Sequence, residues 1–443
     1  MKLTRAAILA AALALMPLAS MRAEGAPSGR TAGEYIEFTM DNTVAYPGTT
    51  RKVTVFVPRQ YTAERPACLL LRMDGNGHRI PEIIEELIDE GTMPVTIALF
   101  VAPGQVKDGE GNVLRYNRSN EYDRMTATWV EFVENEVIPE VERHVTSDGL
   151  PLRISRNAAD RAVNGDSSGG ICAFNAAWQR PDLYSRVYAI VGTFVPMRGG
   201  DTFEATVRKT EPKPLRIFLQ DNDKDSWNPV FGSWYEHNLL LASALEYAGY
   251  DFRVKWDEGG HSGGNGGRIM KDVLRYLWEG WPEAPKARFG GNELINSLIV
   301  EGEGWQPCAA PKAKPLTVAT YPGGNYKAKA EPYTNSIRTC VKGSRTWEQF
   351  YWLHSEGGTP EPVRHLAFDT EGWLYASSAM GIQVCDHNGR VRGIICTPAG
   401  KLERFSFEGN HLYVRVDGRY YRRRVAHEAS TATSPTPVSQ KQG

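Results

Sequence analysis

The segment Gly165-Asp166-Ser167-Ser168-Gly169-Gly170 constrains this chain most, because a Gly-x-Ser-x-Gly run is the signature of a sharp strand-to-helix turn that holds up a serine. Glycines two residues either side of the serine let such a turn close without a Cβ in the way. The flanks fit: Arg161-Ala162-Val163-Asn164 reads as a short buried strand, and Ile171 to Trp178 as a helix rich in small residues. A helix starting beneath Ser167 would offer free backbone N–H groups to an anion. Taken alone, the same five residues also describe an ordinary Ser/Gly turn with no chemistry.

A serine on such a turn acts with an acid and then a histidine later in the chain. Leu215 to Gln220 is an apolar run of strand length, followed at once by Asp221-Asn222-Asp223-Lys224-Asp225. Leu239 to Tyr247 has apolar residues at helical spacing, and Phe252 to Trp256 alternates as a strand does. Gly259-Gly260-His261-Ser262-Gly263-Gly264 then sets a histidine on a glycine-flanked loop. Each feature has an ordinary reading, a loop histidine or a solvated Asp turn. Together they give strand, acid, helix, strand, histidine, the order an α/β-hydrolase requires. No Gly-x-x-x-x-Gly-Lys-Ser/Thr run follows the glycines, which excludes a phosphate-binding loop of that kind.

Over about residues 34 to 282 the chain resembles the enterochelin-esterase-like or esterase-D-like esterases, which overlap carbohydrate esterase family one. The resemblance rests on Tyr46-Pro47-Gly48-Thr49-Thr50-Arg51, Met73-Asp74-Gly75, Asn117 to Asp123, the Ser167 turn, Leu219-Gln220-Asp221-Asn222, Ala248-Gly249-Tyr250-Asp251, and Gly260-His261 followed by Leu274 to Trp278. It implies an α/β-hydrolase fold and a Ser/Asp/His ester hydrolase working without a metal or other cofactor. Carried over by residue, Ser167 is the nucleophile and His261 the general base. Related sequences place a glycine two residues after the Leu-Gln pair and the acid three further on. Here Asn222 stands at the glycine position and Asp225 at the acid, with Asp223 a second candidate and Asp221 a third.

The residue types suit the chemistry. A serine hydroxyl needs a neighbouring base, an imidazole titrates near neutrality, and a carboxylate fixes its tautomer. The N–H of Ser168 is expected to bind the developing oxyanion, with a second donor at Gly75 in the turn Asp74-Gly75-Asn76-Gly77. Asn117, Arg118 and Glu121 are candidate pocket residues, although a surface ion-pair loop explains them equally well. Trp227 and Trp234 follow the acid loop and offer either a stacking platform or core packing.

The remaining sequence sets the boundaries. Residues 1–23 read as a signal peptide, with a basic Met1 to Arg5 followed by apolar Ala6 to Ala19, so an exported, periplasmic or secreted protein is expected. The competing reading is an uncleaved anchor, for which the apolar run is short. Residues 24–282 form the hydrolase domain and 283–345 a Pro-, Gly-, Lys- and Ala-rich linker. Residues 346–426 carry short strands around Asp369-Thr370-Glu371-Gly372 and resemble a late blade of the gluconolactonase, or senescence-marker-protein, β-propellers. That resemblance transfers no lactonase ligands, and the chain has room for about two of the 4–8 blades a propeller needs. Residues 427–443 are rich in Ser, Thr, Pro and Gln and read as a disordered tail. The expected architecture is therefore α/β, with a small C-terminal all-β, propeller-blade-like module.

Lys and Arg number 51 against 52 Asp and Glu, so nothing electrostatic points to nucleic acid. The expected partner is a small-molecule or carbohydrate ester, with no stable membrane span. Cys68 and Cys172 read as buried hydrophobes, while Cys385 and Cys396 flank a hairpin-like turn across which an exported chain could pair them. Two other readings remain at this point: a non-catalytic glycan- or siderophore-binding protein on a hydrolase scaffold, and a lactonase.

Overall fold

The computed structural model describes residues 30–331, 336–355 and 363–431. The leader expected over 1–23 and most of the expected tail lie outside these residues. Among the described residues no helix is long and apolar enough to cross a membrane.

A ten-stranded sheet forms the centre of the molecule. Its main path runs Glu34–Asp41, Thr50–Val57, Thr96–Val101, Cys68–Met73, Arg161–Asp166, Arg186–Ile190, Arg216–Asn222, Asp251–Asp257. From Thr96–Val101 onward the pairings are parallel; the first two strands are antiparallel. A short hairpin, Gln105–Lys107 with Val113–Tyr116, extends the antiparallel end. The inner parallel strands Thr96–Val101, Cys68–Met73 and Arg186–Ile190 are buried throughout because both faces are covered, whereas the edge strand Asp251–Asp257 is partly exposed. Alternate side chains go to opposite cores: Leu69, Leu71, Ile97, Leu99 and Val101 pack on one face, Leu70, Ala98 and Phe100 on the other. The first face is covered by helices Ser168–Gln179 and Trp234–Ala248, the second by Ile80–Asp89 and Met270–Trp278.

The C-terminal part is all-β but is not a propeller. It forms three four-stranded antiparallel sheets. The sheet from Leu366 to Ile395 lies between the others, sharing Tyr375, Ile382 and Val384 with one core and Leu374, Ala376 and Cys385 with the next. The region expected as a linker contributes to it. Helix Glu293–Leu298 packs Ile295 and Leu298 into the module, and Tyr326–Glu331 pairs with Ser336–Val341. Composition concealed that strand, because Ala328 and Ala330 are the buried positions and Lys327 and Lys329 alternate outward. The tail is also ordered further than expected: His427 Nδ1 lies 2.7 Å from the buried Asp369, and the Ser430 N–H donates to the Phe368 carbonyl.

All six cysteines are free. Cys385 stands opposite Val391, whereas Cys396 follows Ile395, which stands opposite Ile382. The two thiols therefore sit towards opposite ends of one ladder and form no bridge.

The module docks on the hydrolase just after helix Thr202–Lys209. The Glu211 N–H donates to the Ile394 carbonyl, and its carboxylate takes Arg423 in a fork at 2.7 and 2.8 Å plus the Cys396 N–H. Truncation after Trp281 removes these contacts but none of the residues of the central sheet. It should lower the melting temperature by about 5 °C or more while kcat on a small ester stays within a few-fold. Thermal melts and turnover of both proteins check this, and a normal melt with lost kcat would place a catalytic group in the module.

Candidate active site

Ser167 stands between the strand Arg161–Asp166 and the helix Ser168–Gln179, at φ 59° and ψ −122°. A non-glycine residue adopts this backbone only when its surroundings impose it. The glycines show how they do so. A Cβ on Gly165 would come within 2.2 Å of the Gly169 carbonyl oxygen, and one on Gly170 within 3.0 Å of the Ile190 carbonyl oxygen. The Ser167 N–H is fixed by Ile190 O at 2.9 Å.

Three side chains distant in sequence meet at this turn. Ser167 Oγ lies 2.8 Å from His261 Nε2, and His261 Nδ1 lies 2.5 Å from Asp225 Oδ1. The Asp225 side chain is fully buried, whereas His261 retains partial exposure. Asp225 Oδ1 also accepts the Ser226 N–H. Burial pushes the Asp225 carboxyl up, but hydrogen bonds from His261 and Asp221 outweigh this and hold it below the usual range. Of the three candidate acids, only Asp225 touches the imidazole. Asp223 accepts the Gly259 N–H at 3.0 Å instead, and Asp221 lies buried behind Asp225.

The Ser168 N–H occupies the first turn of its helix, where backbone donors have no intrahelical partner. Gly75 lies in the turn after the strand Cys68–Met73. That turn is braced where the Asp74 N–H donates to Tyr122 Oη and Arg72 Nε donates to the Gly75 carbonyl.

Two expected pocket residues are not available to a substrate. Asn117 and Glu121 are buried, and Glu121 takes Arg51 at 2.5 and 3.0 Å, Asn117 Nδ2 at 2.6 Å and the Gly104 N–H at 3.2 Å. They form a buried ion-pair network that anchors the loop. Arg118 is partly exposed, but its guanidinium forks onto Asp74 at 2.7 and 2.9 Å and reaches the Asp166 carbonyl. Trp227, two residues past Asp225, is 71% exposed, while Trp234 is buried. Trp234 packs its ring edge-on to His261 at 6.1 Å and donates from Nε1 to Thr193 Oγ1, which lies 3.3 Å from Ser167 Oγ.

Asn222 has a clear task. Its Nδ2 donates to the carbonyls of Gly260 and Ser262 at 2.8 and 3.0 Å, straddling His261, and its Oδ1 accepts from Gln220 and Asn265. A glycine there could not hold the loop. Asn222→Ala should therefore lower kcat by about 10²-fold, with a smaller change in KM, in steady-state assays. Asp166 is held by His78 Nε2 at 2.7 Å and by Arg72. Burial alone would raise its carboxyl, but these partners leave it below the usual range.

The strand order, with the Ser167 turn at the carboxyl end of a central parallel strand, defines an α/β-hydrolase. Residues 45–263, which include Ser167, Asp225 and His261, match the family described as "Putative esterase", and the match supports a carboxylic ester hydrolase. No curated protein matches the sequence. Solved structures similar to it include a ferulic acid esterase, at 17% identity over 56% of this chain and 97% of that chain, with a TM-score of 0.42. An enterobactin esterase from Shigella flexneri is 19% identical over 57% of this chain and 61% of that one, with a TM-score of 0.42. An S-formylglutathione hydrolase from Agrobacterium tumefaciens is 14% identical over 56% and 95%, with a TM-score of 0.41.

Proposed function

We propose that the chain is an exported serine ester hydrolase acting on carbohydrate-linked or siderophore-type esters. The observation that carries the catalytic reading is the unbroken hydrogen-bonded row from Ser167 Oγ through His261 to Asp225. With Nδ1–H directed at Asp225, the His261 Nε2 lone pair faces the Ser167 hydroxyl and takes its proton as Oγ attacks the ester carbonyl. The imidazolium formed is stabilised by the buried Asp225 carboxylate. The oxyanion is received by the Ser168 N–H and the Gly75 N–H. His261 returns the proton to the leaving alcohol, and water repeats the sequence on the acyl-enzyme. Thr193 and Trp234 hold the Ser167 hydroxyl and the His261 ring in place.

The substrate part of the proposal is supported by Trp227, a large exposed ring beside the acid loop that suits stacking on an aryl group or a sugar face. Export is supported by the basic and apolar leader at Met1 to Ala19. An active-site phosphonate should label Ser167 and no other residue, read by peptide mass spectrometry. Profiling acetyl, feruloyl, glucuronoyl and catecholate esters then selects the substrate. Absence of both labelling and turnover would favour the non-catalytic binding reading.

A further inference from the structure

Asp221 is the last residue but one of the strand Arg216–Asn222 and has no solvent exposure. Its Oδ1 accepts the Asn222 N–H at 2.7 Å. Its Oδ2 and the Asp225 Oδ2 are both buried with no donor among the described residues, and the two carboxyl groups lie near enough to act on each other electrostatically. Two neighbouring carboxylates out of water disfavour double ionisation, and the cost is relieved when one of them holds a proton. Asp225 has the stronger claim to the charge, because its Oδ1 receives both the His261 ring N–H and the Ser226 N–H. Asp221 has a single backbone donor and no ion pair among the described residues. Burial, and then the hydrogen bond and charge of Asp225, raise its carboxyl well above the usual range.

The other acids nearby are engaged elsewhere. Asp257 on the adjacent strand accepts from Gln220 Nε2, and Asp223 accepts from the Gly259 N–H. His261 acts on Asp221 only through Asp225.

We infer that Asp221 is a neutral carboxylic acid in the working enzyme, a positioning residue that donates its proton to Asp225 Oδ2 and so fixes the plane in which Asp225 faces His261. This rests on the Ser167–His261–Asp225 reading above. The donated hydrogen bond satisfies the one lone-pair face of Asp225 that neither His261 nor Ser226 reaches, and it prevents the carboxylate from rotating away. Loss of that proton at alkaline pH would set a second negative charge against Asp225. The sign for stability follows: the folded state holds a proton that the unfolded chain releases near pH 4, so stability falls as pH rises from there through the raised pKa of Asp221.

The test uses the full chain with Asp221→Asn and Asp221→Leu. An asparagine keeps the shape, accepts the Asn222 N–H through its oxygen and donates an N–H to Asp225. It should hold kcat on p-nitrophenyl acetate within about threefold of wild type, whereas leucine should cost about 10- to 100-fold in kcat with KM little changed. Infrared spectra at neutral pH should show a protonated carboxylic acid C=O band in the wild type that is absent from Asp221→Asn. The fall in melting temperature as pH rises from about 4 through the raised pKa of Asp221 should be shallower in that variant. A wild type with no such band, or an asparagine variant as impaired as the leucine one, would overturn the inference. The band is read without turnover and can be measured in Ser167→Ala as well. Failure of the triad reading, seen as an active Ser167→Ala, is thus distinguishable from failure of this one.

Discussion

Replacing Ser167 by alanine is expected to lower turnover of a p-nitrophenyl ester by about 10⁴-fold or more, with the protein still folded. The hydroxyl is the atom that His261 Nε2 addresses at 2.8 Å, and no other hydroxyl makes that contact among the described residues. Residual activity should persist, because the oxyanion donors are backbone groups that the substitution leaves in place. Ser168→Ala is the matched control. Its Oγ donates to the buried Asp123 at 3.2 Å, so its loss should cost about 1–2 kcal/mol of stability and much less of kcat. Steady-state kinetics and thermal melts on the two variants separate these outcomes. An active Ser167→Ala beside a dead Ser168→Ala would show that the turn has been misread.

Asp225→Asn should be nearly as damaging, at about 10⁴-fold in kcat. The 2.5 Å contact to His261 Nδ1 now requires the ring N–H to point at Asp225. An amide can turn its N–H to that nitrogen instead, which stabilises the tautomer with a proton on Nε2 and removes the base that Ser167 needs. The buried position offers the imidazolium no replacement charge from solvent. Asp223→Asn should be mild, since an amide oxygen can accept the Gly259 N–H as the carboxylate does. If Asp223→Asn were the crippling change instead, the acid would have to be reassigned. Measuring kcat and KM for both variants across pH decides between them.

Much of the hydrolase is legible in its sequence. The strand at Arg161, the helix after Ser167 and the strand at Phe252 follow from local periodicity, and the structure has them at Arg161–Asp166, Ser168–Gln179 and Asp251–Asp257. The strand at Leu215 runs two residues further than its apolar pattern, to Asn222. Asp221 and Asn222 therefore belong to the sheet end and not to the loop, which is why both are buried. The C-terminal strands were legible in the same way, but their closure was not. Three sheets stacked on shared cores present the same alternation as propeller blades, and the pattern does not reveal what each face meets.

Asn117 and Glu121 illustrate the opposite failure. Polar residues on a loop read as a pocket, yet a single buried arginine, Arg51 from a strand 70 residues away, draws them inward. Nothing in the local sequence announces such a partner. The signal that could have found it is Arg51 itself, which falls on the same alternation as the buried Val53, Val55 and Val57 and so must be compensated.

By itself, the sequence determined the turn under Ser167, through glycines that leave no room for a Cβ, and the chain order of serine, acid and histidine. These are local matters, decided by sterics and by the periods of strand and helix. The tertiary structure alone decided which aspartate faces the imidazole and which loop carbonyls Asn222 holds. The reason is that each depends on distances between segments 36 to 94 residues apart, set by the register of parallel strands and the packing of both sheet faces.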